Sequence, residues 1–203
     1  MSKYQPPAAD VKALRDATGA GMMDCRRALQ EAGGDVPRAT EILRQKGLAS
    51  VAKRAGRAAN EGLIQSYVHF NGRVGVLVEV NCETDFVANT DEFRLLAKDV
   101  SLHVASARPR WLTRDEIPTS DLEQERKIYE AQARDQGKPE NVIERIVEGK
   151  LGAFYKETVL LDQPFVKDDS KTIGELADEV SAKVGEKVAI RRFVRFELGE
   201  ELD

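Results

Sequence analysis

The chain has 203 residues, with 31 Lys plus Arg against 35 Asp plus Glu, 41% apolar and 33% charged, proportions that argue against disorder and against fibrous repeats. Its longest apolar stretch, Val74 to Val78, is interrupted at Glu79 and falls far short of the ~20 residues a membrane span requires. The opening MSKYQPPAAD has no apolar core of a secretory signal, so a cytoplasmic location without membrane partners is expected.

Charge and aromatics divide the chain near Gly62. Residues 1–62 hold 11 of the basic and 7 of the acidic residues, leaving 20 and 28 for the remainder, and only Tyr4 of the twelve aromatics precedes Leu63. A small aliphatic module followed by a larger one with an aromatic core is expected: a bundle over 1–50, a basic Ala-rich linker over 51–61 and a core over 62–203.

The bundle reads as three short helices. Asp10 caps a first, with Val11, Leu14 and Ala17 at helical spacing, and Thr18-Gly19-Ala20-Gly21 breaks it. A second starts near Met22, carries Met23, Cys25, Ala28, Leu29 and Ala32 as apolar positions, and stops at Gly33-Gly34. Asp35 caps a third, Pro37 fits its first turn, and Ala39, Ile42 and Leu43 are its buried stripe before Gly47. The linker GLASVAKRAGRAANE then presents Lys53, Arg54 and Arg57, either as a solvated connector or as a nucleic-acid patch, although it has no interleaved aromatics.

Leu63 to Phe70, Asn71-Gly72 and Arg73 to Val80 form a β-hairpin with a type I′ turn at Asn-Gly, which pairs His69 with Val74, Tyr67 with Val76, Gln65 with Val78 and Leu63 with Val80. Lys187 to Leu198 supplies a third antiparallel strand with Val188, Ile190, Val194 and Phe196 on one side. Between them, Asn89 and Glu92 have capping-box spacing ahead of Phe93, Leu96, Ala97, Val100 and Val104. Asp121 to Gln136 and Pro139 to Gly149 read as a projecting helical hairpin, and a last helix begins at Thr172 with Glu175 and ends at Gly185. The fold class is α+β: a three-helix bundle, then a small three-stranded antiparallel sheet packed with helices.

No catalytic constellation emerges. His69 and His103 lack ligand partners at metal spacing, Gly19-Ala20-Gly21 has Asp24 where a dinucleotide fingerprint needs glycine, and no Walker A sequence occurs. No metal and no cofactor are expected, and Cys25 and Cys82 read as small buried hydrophobes. The segment Cys82-Glu-Thr-Asp-Phe-Val-Ala-Asn89 stands apart, because it sets Phe86 beside a carboxylate in a short strand-to-helix connection. Phe86 is either a core anchor or a protruding apolar wedge.

TGAGMMDCRRAL at Thr18 to Leu29, VEVNCETDFVA at Val78 to Ala88, GKPENVIERIVEGKL at Gly137 to Leu151, QPFVKDDSKTIGEL at Gln163 to Leu176 and RRFVRFELGE at Arg191 to Glu200 resemble bacterial translation elongation factor Ts. The resemblance implies a guanine-nucleotide exchange factor for the GTPase elongation factor Tu, with an N-terminal bundle of the ubiquitin-associated type docking the G domain. It implies no enzymatic activity of the chain's own. By the same resemblance Thr84, Asp85, Phe86 and Val87 match the segment that pushes into the G domain and disturbs the Mg²⁺ site. Lys12, Arg15, Met22 and Met23 match the N-terminal docking surface, one of the two methionines remaining open as bundle core. His69 matches a histidine that longer members carry in a second core subdomain, and it either contacts the partner or stiffens the sheet. Because GLIQSYVHFNGRVGVLVEV occurs once here, a homodimer and a 2:2 complex with elongation factor Tu are expected, with Arg73 to Val80 and Lys187 to Leu198 as candidate interface strands and no direct nucleic-acid contact.

Overall fold

The structure, a computed structural model, describes residues 4–201. Helices α1 (Ala8–Thr18), α2 (Met22–Glu31) and α3 (Val36–Arg54) form the N-terminal bundle. Its core is small and aliphatic: Val11, Leu14, Cys25, Ala28, Leu29, Ala32 and Ala39, flanked by Ile42 and Leu43. Asp35 caps α3 by accepting from the Arg38 amide. The third helix does not stop at Gly47; it continues into the expected linker as far as Arg54. Gly47 lies against helix α8 (Ile173–Val184), where an added Cβ would come within 3.3 Å of Ala182. The residue that marks a helix end in the sequence marks a close helix crossing in space.

Strands β1 (Glu61–Val68), β2 (Val74–Cys82) and β5 (Ala189–Glu197) form an antiparallel sheet in the order β1-β2-β5. The hairpin register is the expected one: Leu63 faces Val80, Gln65 faces Val78 and Tyr67 faces Val76. Its turn differs. The Gly72 amide donates to His69 O (2.7 Å), Gly72 has φ 68°, and Asn71 Oδ1 accepts from the Arg73 amide at 3.0 Å. Asn71 has no positive φ, so Phe70 and Asn71 are the central residues and glycine alone takes the left-handed position.

The third strand departs from a simple alternation. Val80 pairs with Ile190 but Glu79 pairs with Arg192, which leaves Arg191 as the extra residue of a bulge. Val188 and Ile190 point into the core as expected, whereas beyond the bulge Phe193 packs inward and Val194 and Phe196 turn to the open face. The inner face packs on α5 (Asp91–Ala107) and α8, where Val76, Val78, Val80, Phe93, Leu96, Val100, Val104 and Ile173 form the main core. The open face carries Ile64, 64% exposed, Phe196, 65% exposed, and Val68, Leu77 and Val194, with no element of this chain over it among the described residues.

Thr90, rather than Asn89, caps α5, its hydroxyl accepting from the Phe93 amide. The helical hairpin is α6 (Thr119–Asp135) and α7 (Glu140–Thr158); α7 runs past Gly149 because Ile143, Val147, Leu151 and Phe154 extend one buried stripe along it. A two-stranded ribbon, β3 (Pro164–Phe165) with β4 (Asp168–Thr172), precedes α8 and was not expected from the sequence. Helix α8 has the anticipated capping box of Thr172 with Glu175 and a left-handed Gly185.

His103 is fully buried on α5. Its Nδ1 accepts from the Val166 amide (3.3 Å), so Nε2 carries the proton and donates to Gln163 Oε1 at 2.9 Å, while Gln163 Nε2 donates to Glu157 O at 2.7 Å. Burial lowers the His103 pKa below its usual 6.5, with the Gln163 contact opposing. A lowered folded value means that the stabilisation is complete above about pH 6.5 and is lost as pH falls below it. Cooling from this source is measurable: between about pH 7.5 and pH 5.5 the melting temperature of the wild type is expected to drop further than that of His103→Asn, at about 2 to 4 °C per kcal/mol. Equal drops would remove His103 as the cause.

Candidate functional site

Thr84, Asp85, Phe86 and Val87 leave the end of β2 and form the first part of a single helical turn, α4 (Asp85–Ala88). Thr84 is its N-cap, its hydroxyl accepting from the Val87 amide at 3.4 Å. A turn this short has no stability of its own. It is held on one side by Val87 and Ala88, both buried in the main core, and this geometry drives the intervening Phe86 outward. Phe86 is 82% exposed and Asp85 is exposed beside it. The core-anchor role left open by the sequence belongs to Val87, one residue on.

The other side of the turn is fixed by carboxylates. Glu186, in the connection from α8 to β5, accepts from the amides of Glu83 (3.1 Å) and Thr84 (3.0 Å) through Oε2 and from the Thr84 hydroxyl (2.7 Å) through Oε1. Glu83 returns the contact: its Oε1 accepts from the Lys187 amide at 2.6 Å and from Arg57 Nη1 at 3.2 Å. The Lys187 amide, followed by the Arg57 guanidinium, holds the Glu83 carboxyl below the usual carboxylate range. Burial pushes the neighbouring Cys82 thiol up to about 11, with Glu186 adding to the shift. Cys82 is therefore neutral and poorly nucleophilic at the rim of the site.

The basic linker is largely consumed by this arrangement. Arg54 is buried and donates to Ser181 O (3.0 Å) at the end of α8, Arg57 pairs with Glu83, and Lys187 Nζ donates to Arg57 O at 2.9 Å. Two of the three cations of the candidate nucleic-acid patch thus tie the bundle to the core, and Lys53 alone remains exposed without such a tie. Arg44 on α3 adds a looser pair with Glu175 of α8 at 3.9 Å.

On the bundle, Lys12 and Arg15 are exposed and, three residues apart, share a face of α1. Met22 is 45% and Met23 61% exposed at the start of α2, so neither belongs to the bundle core. The small aliphatic side chains of α2 fill that core without them.

His69 lies at the turn end of the hairpin. Tyr67 Oη and His69 Nδ1 are hydrogen-bonded at 2.9 Å, and the His69 ring is 4.5 Å from that of Phe70. The nine residues of β2 separate this end from Thr84, a span of about 25 to 30 Å at strand rise. One chain therefore keeps His69 and Phe86 apart. Glu83 and Glu186 were not identified from the sequence: they meet only because α8 returns its C-terminus to the end of β2, and no local pattern signals a contact across roughly a hundred residues.

A family model described as Elongation factor TS matches residues 47–200. The chain is 56% identical over 193 residues to an elongation factor Ts of Thermoanaerobacter sp. (strain X514), covering 95% of each chain. Over 95% of its length it is also 57% identical to that of Carboxydothermus hydrogenoformans and 55% identical to that of Desulforamulus reducens, covering 88% and 89% of those relatives.

Proposed function

As a member of the elongation factor Ts family, to which the chain belongs, it is a translation elongation factor, and we propose that it accelerates release of GDP from elongation factor Tu by pressing Phe86 into the G domain. The single observation that supports this most directly is an aromatic side chain left almost wholly exposed on a helical turn whose every other anchor is buried or hydrogen-bonded. Covering that ring with an apolar pocket of a partner would remove its surface from water and supply binding energy.

In such GTPases Mg²⁺ and its ligands bridge the nucleotide phosphates to the protein. Moving the groups that support the metal weakens the phosphate grip without altering the guanine pocket. Lys12, Arg15, Met22 and Met23 dock the bundle on the G domain, the two methionines supplying a deformable apolar contact. Thr84 and Val87 hold the turn, Asp85 flanks the wedge, and Phe86 does the displacing. Linkage then requires GDP and this chain to weaken one another's binding to elongation factor Tu by the same factor.

The active species is a homodimer. Ile64, Leu77, Val194 and Phe196 on the open sheet face are the surface a second copy covers, sheet against sheet, giving a 2:2 complex in the cytoplasm. Since His69 lies a strand length from Phe86, the His69 that reaches the same GTPase belongs to the second copy. Stopped-flow release of labelled GDP from elongation factor Tu, with and without the chain, tests the reading. A marked acceleration is expected, and an unchanged rate would overturn it.

A further inference from the structure

We propose that Glu186 is a positioning residue for nucleotide exchange, its carboxylate fixing the angle at which the Asp85–Ala88 turn presents Phe86. The proposal rests on the exchange reading above. Glu186 lies 100 residues beyond Phe86 in sequence and does not touch it; it acts through Thr84.

Segment 83–84 and segment 186–187 cross at the foot of the turn and are joined by two carboxylates in exchange. Glu186 takes the Glu83 amide, the Thr84 amide and the Thr84 hydroxyl, and Glu83 takes the Lys187 amide. Hydrogen bonds to an ionised acceptor are about twice as strong as neutral ones, and here they act on backbone, which cannot swing away as a side chain does. The Thr84 hydroxyl directs its proton to Glu186 Oε1, which leaves a lone pair facing the Val87 amide in the cap of α4. Remove the carboxylate and that hydroxyl is at liberty to rotate, while two amides at the start of the turn lose their partner.

Glu186 is itself braced. Ser181 Oγ donates to Glu186 O at 2.6 Å, and Ser181 O receives Arg54 Nη2 from the end of α3. A continuous series of contacts therefore runs from the docking bundle through Arg54, Ser181, Glu186 and Thr84 to the turn that carries Phe86. A wedge that displaces part of a partner must resist the reaction force, and the hydrophobic seat of Val87 and Ala88 fixes depth better than angle. Docking depends on the bundle surface and on the apolar area of Phe86, both of which remain without Glu186. Pushing depends on stiffness, which does not.

The test is GDP release from elongation factor Tu as a function of concentration of the full chain, for wild type, Glu186→Ala, Glu186→Gln and Phe86→Ala. For Glu186→Ala the plateau rate is expected to fall about tenfold while the half-saturating concentration stays within about twofold. Glu186→Gln keeps an oxygen for the two amides but turns its amino group on Thr84, and an intermediate plateau is expected. Circular dichroism reports folding, and if the alanine variant is unfolded the glutamine variant carries the test alone. A wild-type plateau in the folded Glu186 variants, with Phe86→Ala impaired, overturns the positioning role and leaves the exchange reading standing. A wild-type plateau in Phe86→Ala overturns both. A loss expressed only in the half-saturating concentration also overturns the proposal, because it assigns Glu186 to docking.

Discussion

Phe86→Ala is expected to remove most of the acceleration of GDP release while leaving the circular dichroism spectrum and melting temperature of the chain unchanged. Phe86 is exposed in the free chain and its neighbours Val87 and Ala88 hold the turn in the core, so truncation creates no cavity and lies with surface substitutions, within about 0.5 kcal/mol of neutral. Burying the ring in a pocket of the partner contributes roughly 2–3 kcal/mol. If that energy is realised only when the G domain has rearranged, it enters the exchange rate directly, and at about 1.4 kcal/mol per factor of ten it corresponds to about 30- to 150-fold. Stopped-flow release at saturating concentration measures it. Wild-type kinetics in the variant would eliminate the wedge.

Leu77→Arg is expected to convert the chain from dimer to monomer without unfolding it. Leu77 sits midway along the central strand, facing Ser66 on one side and Val194 on the other, and its side chain projects from the open face rather than into the core. In a monomer the arginine remains hydrated. In a sheet-to-sheet contact each copy would bury an unpaired cation, at about 3 to 5 kcal/mol apiece, and a two-fold interface brings both to the same region. The dissociation constant is then expected to rise by at least about 100-fold. Sedimentation should give the wild type twice the 22.5 kDa chain mass and the variant that mass once. A wild type that sediments as a single chain at working concentration would remove the dimer.

The register of the hairpin and the capping box of Thr172 were legible because each rests on contacts a few residues apart: Gly72 closes on His69 across the turn, although not in the type I′ form expected at Asn71-Gly72, and Thr172 reaches Glu175 within one turn. The exposure of Phe86 was half legible. Placing Phe86 in a connection was correct, but exposure depended on Val87 and Ala88 finding the core, which only the assembled sheet and α5 provide. Helix ends at Gly47 and Gly149 were misjudged because glycine serves close packing at the first and is simply outvoted by the stripe through Leu151 and Phe154 at the second. Arg54 and Arg57 read as solvated charges because their partners, Ser181 and Glu83, are remote in sequence. The faces of β5 were assigned by strict alternation, and a bulge leaves no mark in the order of residues.

That bulge gives Arg191 a significance out of proportion to its exposed side chain. Strand parity is binary: with Arg191 bulged out of the ladder, Phe193 enters the core and Val194 and Phe196 join Ile64 and Leu77 outside; were Arg191 paired with Glu79 instead, the two sets would trade places and Arg192 would be directed at Val78. The protein thus stores the choice between a buried and an exposed apolar set in whether a single residue pairs or stands out of the ladder. Most surface segments tolerate gain or loss of a residue by adjusting a loop. Here the ladder itself takes up the extra residue: removing Arg191 would leave Ile190 on Val80, Arg192 on Glu79 and Phe193 on Val78, so it is the pairing of Arg191, and not its presence, that would rewrite which side chains face inward.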